Sequence, residues 1–142
     1  MLSKTAEYAI RAVLYMARRG DTTPASADEI AEALDAPRNY LSKTLNSLAK
    51  ERILNSVRGP RGGFSLAVPV GDLTIARIVD AFDTSRASGM CLLGGTPCDP
   101  SRPCTAHDRW VEIHRSSRAP METTTIGQMI GGRARRSASG HR

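Results

Sequence analysis

Six residues, Arg58-Gly59-Pro60-Arg61-Gly62-Gly63, place three glycines and a proline between two short apolar runs. That punctuation constrains the fold more than any other feature. Such a link continues neither a helix nor a buried strand. It predicts a hairpin with a wide exposed loop, joining strands at about 53–57 and 64–67. The chain before it is helical in pattern. Residues 3–19 set Ala6, Ala9, Ile10, Val13, Leu14 and Ala17 on one helical face, and Gly20 is a C-terminal stop. A second helix starts near Ser26, where Ser26 and Glu29 fit a capping box, and it buries Ile30, Ala33 and Leu34. Asp35-Ala36 makes a turn. Pro37 then begins a third helix, with Leu41, Leu45 and Leu48 facing inward.

Downstream, Thr74 caps a fourth helix with Ile75, Ile78, Val79 and Phe82 inward. Residues 89–103 hold six Gly or Pro and exclude regular structure. A fifth helix opens at Pro103 or Cys104 and runs to about Arg118, where Pro120 ends or kinks it. Thr125–Ile130 forms one more helical turn, closed by Gly131-Gly132. The tail from 131 is rich in Arg, Ser and Gly and is expected to be disordered. The fold class is therefore mainly α with a small β-hairpin. Residues 1–67 form a winged helix-turn-helix, 68–130 a linker helix, cysteine loop and further helix, and 131–142 a basic tail.

Charge is unevenly placed. Residues 1–65 hold ten Lys/Arg against seven Asp/Glu, residues 66–130 six against seven, and residues 131–142 four Arg and no acid. A basic first half suits a polyanionic partner, with nucleic acid ahead of an anionic membrane surface. No apolar run reaches the ~18 residues of a membrane span. The N-terminus interrupts its apolar positions with Lys4, Glu7 and Arg11, unlike a signal peptide, so the expected compartment is the cytoplasm. No phosphate loop, paired catalytic carboxylates or nucleophile elbow occurs, so neither an enzyme nor a small-molecule substrate is expected.

Two helices joined by a short turn, followed by a hairpin, are the parts of a winged helix-turn-helix. The second helix of the pair needs polar side chains near its N-terminus and a dry opposite face if it is to reach base edges. Residues 37–50 meet both needs. Arg38, Asn39, Tyr40, Ser42 and Lys43 on this helix, with Arg58 and Arg61 on the hairpin loop, are the candidate DNA contacts. Glycine lets the loop backbone approach a duplex, and an arginine can enter a narrow minor groove.

The cysteines form the second constellation. Cys91, Cys98 and Cys104 are all clustered in one Gly/Pro-rich stretch, and His107 follows three positions after the last. An odd number in an apparently cytoplasmic chain argues against a disulfide framework. Cys104 and His107, at i and i+3, share a helix face. Thiolates and imidazole suit an iron–sulfur cluster or a zinc ion, and zinc would take all four donors as a closed tetrahedron. Bare thiols acting as a redox switch are the third reading.

The stretch YLSKTLNSLAKERILNSVRGPRGGFSLA (40–67), with the opening MLSKTAEYAIRAVLYMA, resembles the Rrf2 family of bacterial winged-helix transcription regulators. The similarity covers about residues 1–130 and is most specific at SVRGPRGGF. The resemblance implies a homodimer on a palindromic double-stranded DNA operator, with one helix per half-site and the wing in the minor groove. It implies a repressor with the fifth helix as dimer interface, for which Trp110, Val111, Ile113 and His114 offer a short apolar stripe. It also implies an iron–sulfur cluster on Cys91, Cys98 and Cys104. In the IscR type of the family, a histidine separated from the third cysteine by two residues completes a 2Fe–2S site, and His107 stands there. In the NsrR type the fourth ligand is an acidic residue of the partner's first helix. Glu7 stands about there as the reserve ligand, and a 4Fe–4S cluster is the alternative.

Overall fold

A computed structural model describes residues 3–20, 22–82, 101 and 107–131. The first helix, α1 (Lys4–Arg19), is opened by Ser3, whose Oγ accepts from the Ala6 N–H at 3.1 Å. It is closed by Gly20 at φ 70°, the left-handed conformation that glycine adopts without a Cβ clash. Five residues of the predicted apolar face are buried, Ala6, Ala9, Ile10, Val13 and Leu14, while Ala17 is only half-buried and Ala12 and Met16 join the core instead. The wider burial has a tertiary cause: α1 touches α2 (Ala27–Leu34), α3 (Arg38–Lys50), α4 (Ile75–Asp80) and the second hairpin strand.

The Ser26 Oγ caps α2 by accepting from the Glu29 N–H at 3.1 Å, while the Glu29 carboxylate pairs with Arg19 at 3.2 Å. One expectation fails here. Ala33 is exposed and Ala31 is buried, because α2 turns its Ile30–Ala31 edge to the core. Asp35 ends the helix in the left-handed region, at φ 52°. Pro37 is the N-cap of α3, one position earlier than a first-turn proline, and supplies no side-chain cap. Leu41, Leu45 and Leu48 are fully buried.

The hairpin is antiparallel, with β1 (Leu54–Val57) and β2 (Gly63–Leu66) pairing Leu54 to Leu66 and Val57 to Gly63. Each strand differs from its expected bounds by about one residue. The loop ahead of α2 also joins the sheet. Ala25 and Phe64 exchange both backbone hydrogen bonds, at 2.9 and 2.8 Å. This contact explains Gly63: a Cβ there would lie 2.3 Å from the Ala25 carbonyl oxygen.

Thr74 caps α4 as expected, accepting from the Arg77 N–H at 3.3 Å. Ile78 and Val79 are buried with Ala76, while Ile75 and Phe82 pack at the core edge. The last long helix, α5 (His107–Thr123), corrects another expectation: it passes through Pro120 rather than ending there. After it the chain returns to α4, where Thr74 bridges Thr125 and the Ile126 N–H donates to the Leu73 carbonyl at 2.8 Å. Thr125 and Gln128 form a reciprocal capping box, at 2.9 and 3.1 Å, opening a helical turn over 126–131. Ile126 is thereby fully buried in the same core as Leu45 and Val13.

Candidate nucleic-acid interface

The three inward leucines of α3 fix which face is left outside. Asn39, Lys43 and Asn46 are exposed along it, Arg38 is exposed at its start, and Ser42 is half-buried at its margin. A face of amide and ammonium groups on a helix held rigidly from behind is suited to base edges and phosphates. The wing carries Arg58 and Arg61, both exposed, on a closed turn in which the Gly62 N–H donates to the Gly59 carbonyl at 2.9 Å. Gly59 has φ 112°, and a Cβ at Gly62 would lie 2.2 Å from the Val57 carbonyl oxygen, so the loop shape depends on both glycines.

The fold sorts the basic residues into two groups. Arg19 pairs with Glu29, Arg38 with Asp28, and Arg11 donates to the Leu34 carbonyl at 3.1 Å, at the C-terminal end of α2. Lys43, Arg58 and Arg61 have no ion pair among the described residues, so their charge is open to a polyanion. Arg38 is the candidate whose availability the structure qualifies, since Asp28 in the first turn of α2 holds it. Tyr40 is tied more firmly. Its hydroxyl hydrogen-bonds that of Thr5 on α1, and its ring meets Tyr8 edge-on at 5.6 Å between centroids. Sequence reading missed Thr5, Tyr8 and Asp28, which acquire their roles only through contacts between helices.

On the other side of the core, Arg118 of α5 grips both carboxylate oxygens of Asp80 on α4 and also the Glu122 carboxylate, at 2.9 Å. Those hydrogen bonds, Asp80 first, raise the guanidinium pKa further above its already high ordinary value. The metal-donor candidates are placed unevenly. Cys91, Cys98 and Cys104 lie outside the described residues, as do the side chains of His107, Trp110, Val111, Ile113 and His114. The backbone at His107 begins the described part of α5. Glu7 is exposed on the first turns of α1. Among the described residues no cluster of His, Cys, Asp and Glu could hold a metal ion, and no helix is long and apolar enough to cross a membrane.

A helix pair with its second member exposed, flanked by a basic glycine-framed wing, defines a winged-helix DNA-binding protein. The chain belongs to the Rrf2 family, described as iron-dependent transcriptional regulators, whose profile matches residues 2–132. A protein of Aquifex aeolicus assigned as an HTH-type transcriptional regulator is 35% identical over 92% of this chain and 91% of its own length. The HTH-type transcriptional regulator IscR of Klebsiella pneumoniae is 26% identical over 91% of this chain and 78% of its own. The solved structure of CymR, the global cysteine regulator of B. subtilis, shares the fold with a TM-score of 0.76 at 18% identity, covering 91% of this chain and 95% of that one. The chain is thus a transcription regulator of a DNA-binding, non-enzymatic family.

Proposed function

We propose that this chain is a cytoplasmic homodimeric repressor whose grip on a palindromic operator is governed by an iron–sulfur cluster held by Cys91, Cys98, Cys104 and His107. In this reading residues 1–67 read DNA, while 68–130 carry the cluster ligands and the dimer contacts. The donor set carries the proposal. Three thiols clustered within one short segment, followed by an imidazole at the head of α5, match the soft ligands that iron–sulfur centres take. The family's description as iron-dependent agrees with that chemistry. A 2Fe–2S cluster fits a Cys3His set. Glu7 as fourth ligand and a 4Fe–4S cluster form the alternative.

A bound cluster supplies a centre that responds to iron supply, nitric oxide or oxidants. The protein's own residues relay its occupancy. Engaging His107 pins the head of α5. Arg118 ties α5 to Asp80 of α4, α4 packs on α1, and α1 packs on α3. Loading therefore biases the angle between the reading helix and its partner across the dimer, a shift in populations rather than a new fold.

Anaerobic purification, with an absorption spectrum and an iron and zinc count per chain, tests the proposal. Visible colour and iron that vanish in a Cys91→Ser/Cys98→Ser/Cys104→Ser variant are expected. Colourless protein holding one zinc would establish the closed-tetrahedron reading instead. Metal-free protein binding DNA as well as the triple variant would leave a thiol switch or no sensor at all.

A further inference from the structure

Tyr40 stands at the third position of the reading helix, on the flank of its exposed face, and it is 37% exposed. The position suits a direct DNA contact, but its surroundings point elsewhere. The hydroxyl is engaged by Thr5, in the first turn of α1. The ring is engaged by Tyr8, one turn further along the same helix, at 66° between planes. Tyr8 is itself held from two directions. Lys4 Nζ and the Arg11 guanidinium each lie 5.6 Å from its ring centroid, at cation–π distance. The Tyr40 carbonyl, meanwhile, accepts from the buried Thr44 hydroxyl at 3.0 Å. Both ends of the residue are therefore anchored, one to α1 and one to α3 itself.

The anchor lies where it has leverage. The N-terminal half of α3 must reach the bases, yet Pro37 gives that end no side-chain cap. Between Arg38 and Leu41 the helix start is held by few buried groups: Leu41 is the first fully buried side chain, and Asn39 is exposed. The other end is secured by Leu45 and Leu48. A bond from Tyr40 to a helix buried along most of its length removes the freedom that the free end retains.

We propose that Tyr40 is a positioning residue for operator recognition, acting with Thr5 and Tyr8 to fix the entry angle of α3, and not a DNA contact. This inference rests on the assignment of α3 as the reading helix. It separates three roles by measurement. A group that sets the angle of a reading helix supports base readout, which needs exact register, more than phosphate attraction, which tolerates misalignment. A phosphate contact supports both equally and contributes about one to the salt slope. A purely structural tie supports neither once the protein is folded.

The experiment uses the full chain, a duplex that the wild type selects from a randomised pool, and an unrelated duplex of the same length. Affinity is measured against salt for wild type, Tyr40→Phe, Thr5→Val and the double variant, each first checked for native helicity. Both single variants should weaken binding to the selected duplex by roughly threefold, the scale of one modest hydrogen bond. The unrelated duplex and the salt slope should be unchanged. The double variant should be no weaker than either single one, because both remove the same bond. An equal loss on both duplexes with a shallower slope for Tyr40→Phe overturns the proposal in favour of a phosphate contact. Melting temperatures that fall while affinities stay constant overturn it in favour of a structural tie. A wild type that selects no duplex would instead remove the reading-helix assignment on which the inference stands.

Discussion

Arg118 on α5 donates to both carboxylate oxygens of Asp80 on α4, through hydrogen bonds of 2.5 and 2.6 Å. This fork joins the helix that carries His107 to the helix that packs on α1. Arginine suits it because its planar guanidinium matches both carboxylate oxygens at once, which a lysine ammonium cannot do.

Replacing Arg118 by Leu should cost about 1 kcal/mol, since both side chains retain solvent contact and screening limits the pair. A melt should shift by roughly 4 °C. Lysine should recover only part of the loss. The raised guanidinium pKa makes its contribution fully present below its ordinary value and lost only above it, so no titration of this group should appear between about pH 6 and 9. A stability step in that range that disappears in Arg118→Leu would contradict the assignment.

The wing depends on the space at Gly63. Its φ of 152° is one that other residues rarely adopt, and a Cβ would meet the Ala25 carbonyl oxygen at 2.3 Å. Gly63→Ala should destabilise by about 2–3 kcal/mol, through strain and loss of the Ala25–Phe64 bonds. Gly71→Ala, where open space surrounds the position, should stay within about 0.5 kcal/mol. Urea denaturation of the two variants side by side checks the contrast.

DNA binding should respond unequally to the basic residues. Lys43→Ala or Arg61→Ala should each weaken binding and reduce the slope of log affinity against log salt by about one. Asp28→Asn should act oppositely. It removes an acid beside the reading helix and frees Arg38, so affinity at moderate salt should rise several-fold. Fluorescence anisotropy titrations at four or more salt concentrations would reveal whether the pair restrains Arg38.

The fourth metal ligand can be assigned by contrast. His107→Ala should lower the iron content of anaerobically purified protein and change its visible spectrum, whereas Glu7→Gln should leave both as they are. The reverse pattern would transfer the ligand role to α1. Spectra and iron counts on the two variants are sufficient, with circular dichroism to confirm folding.

The helix-turn-helix and its wing could be read from the chain because their causes are local. Leu41, Leu45 and Leu48 announce a buried helical face by spacing alone, and Ser26, Thr74 and Gly20 mark helix ends through their own hydrogen bonds or conformational freedom. Misreadings arose where a distant neighbour decided the outcome. Ala33 and Ala31 are equivalent in propensity, and only the direction of approach to α1 and α3 exposes one and buries the other. Of the two effects expected of Pro120, an end or a kink, the end does not occur, since α5 continues through it to Thr123.

The sequence by itself determined that two helices and a glycine-framed hairpin would form, that Leu41, Leu45 and Leu48 face inward, and that three thiols and an imidazole stand close along the chain. Periodicity and turn chemistry act within a few residues, so a linear reading captures them. Only the tertiary structure decided that Tyr40 is held by Thr5 and Tyr8, that Asp28 occupies Arg38, and that Arg118 joins α5 to α4. Each of these links joins different helices, ten to nearly forty positions apart. No local preference specifies them; they exist because burial of the leucine, isoleucine and valine core brings those helix surfaces together.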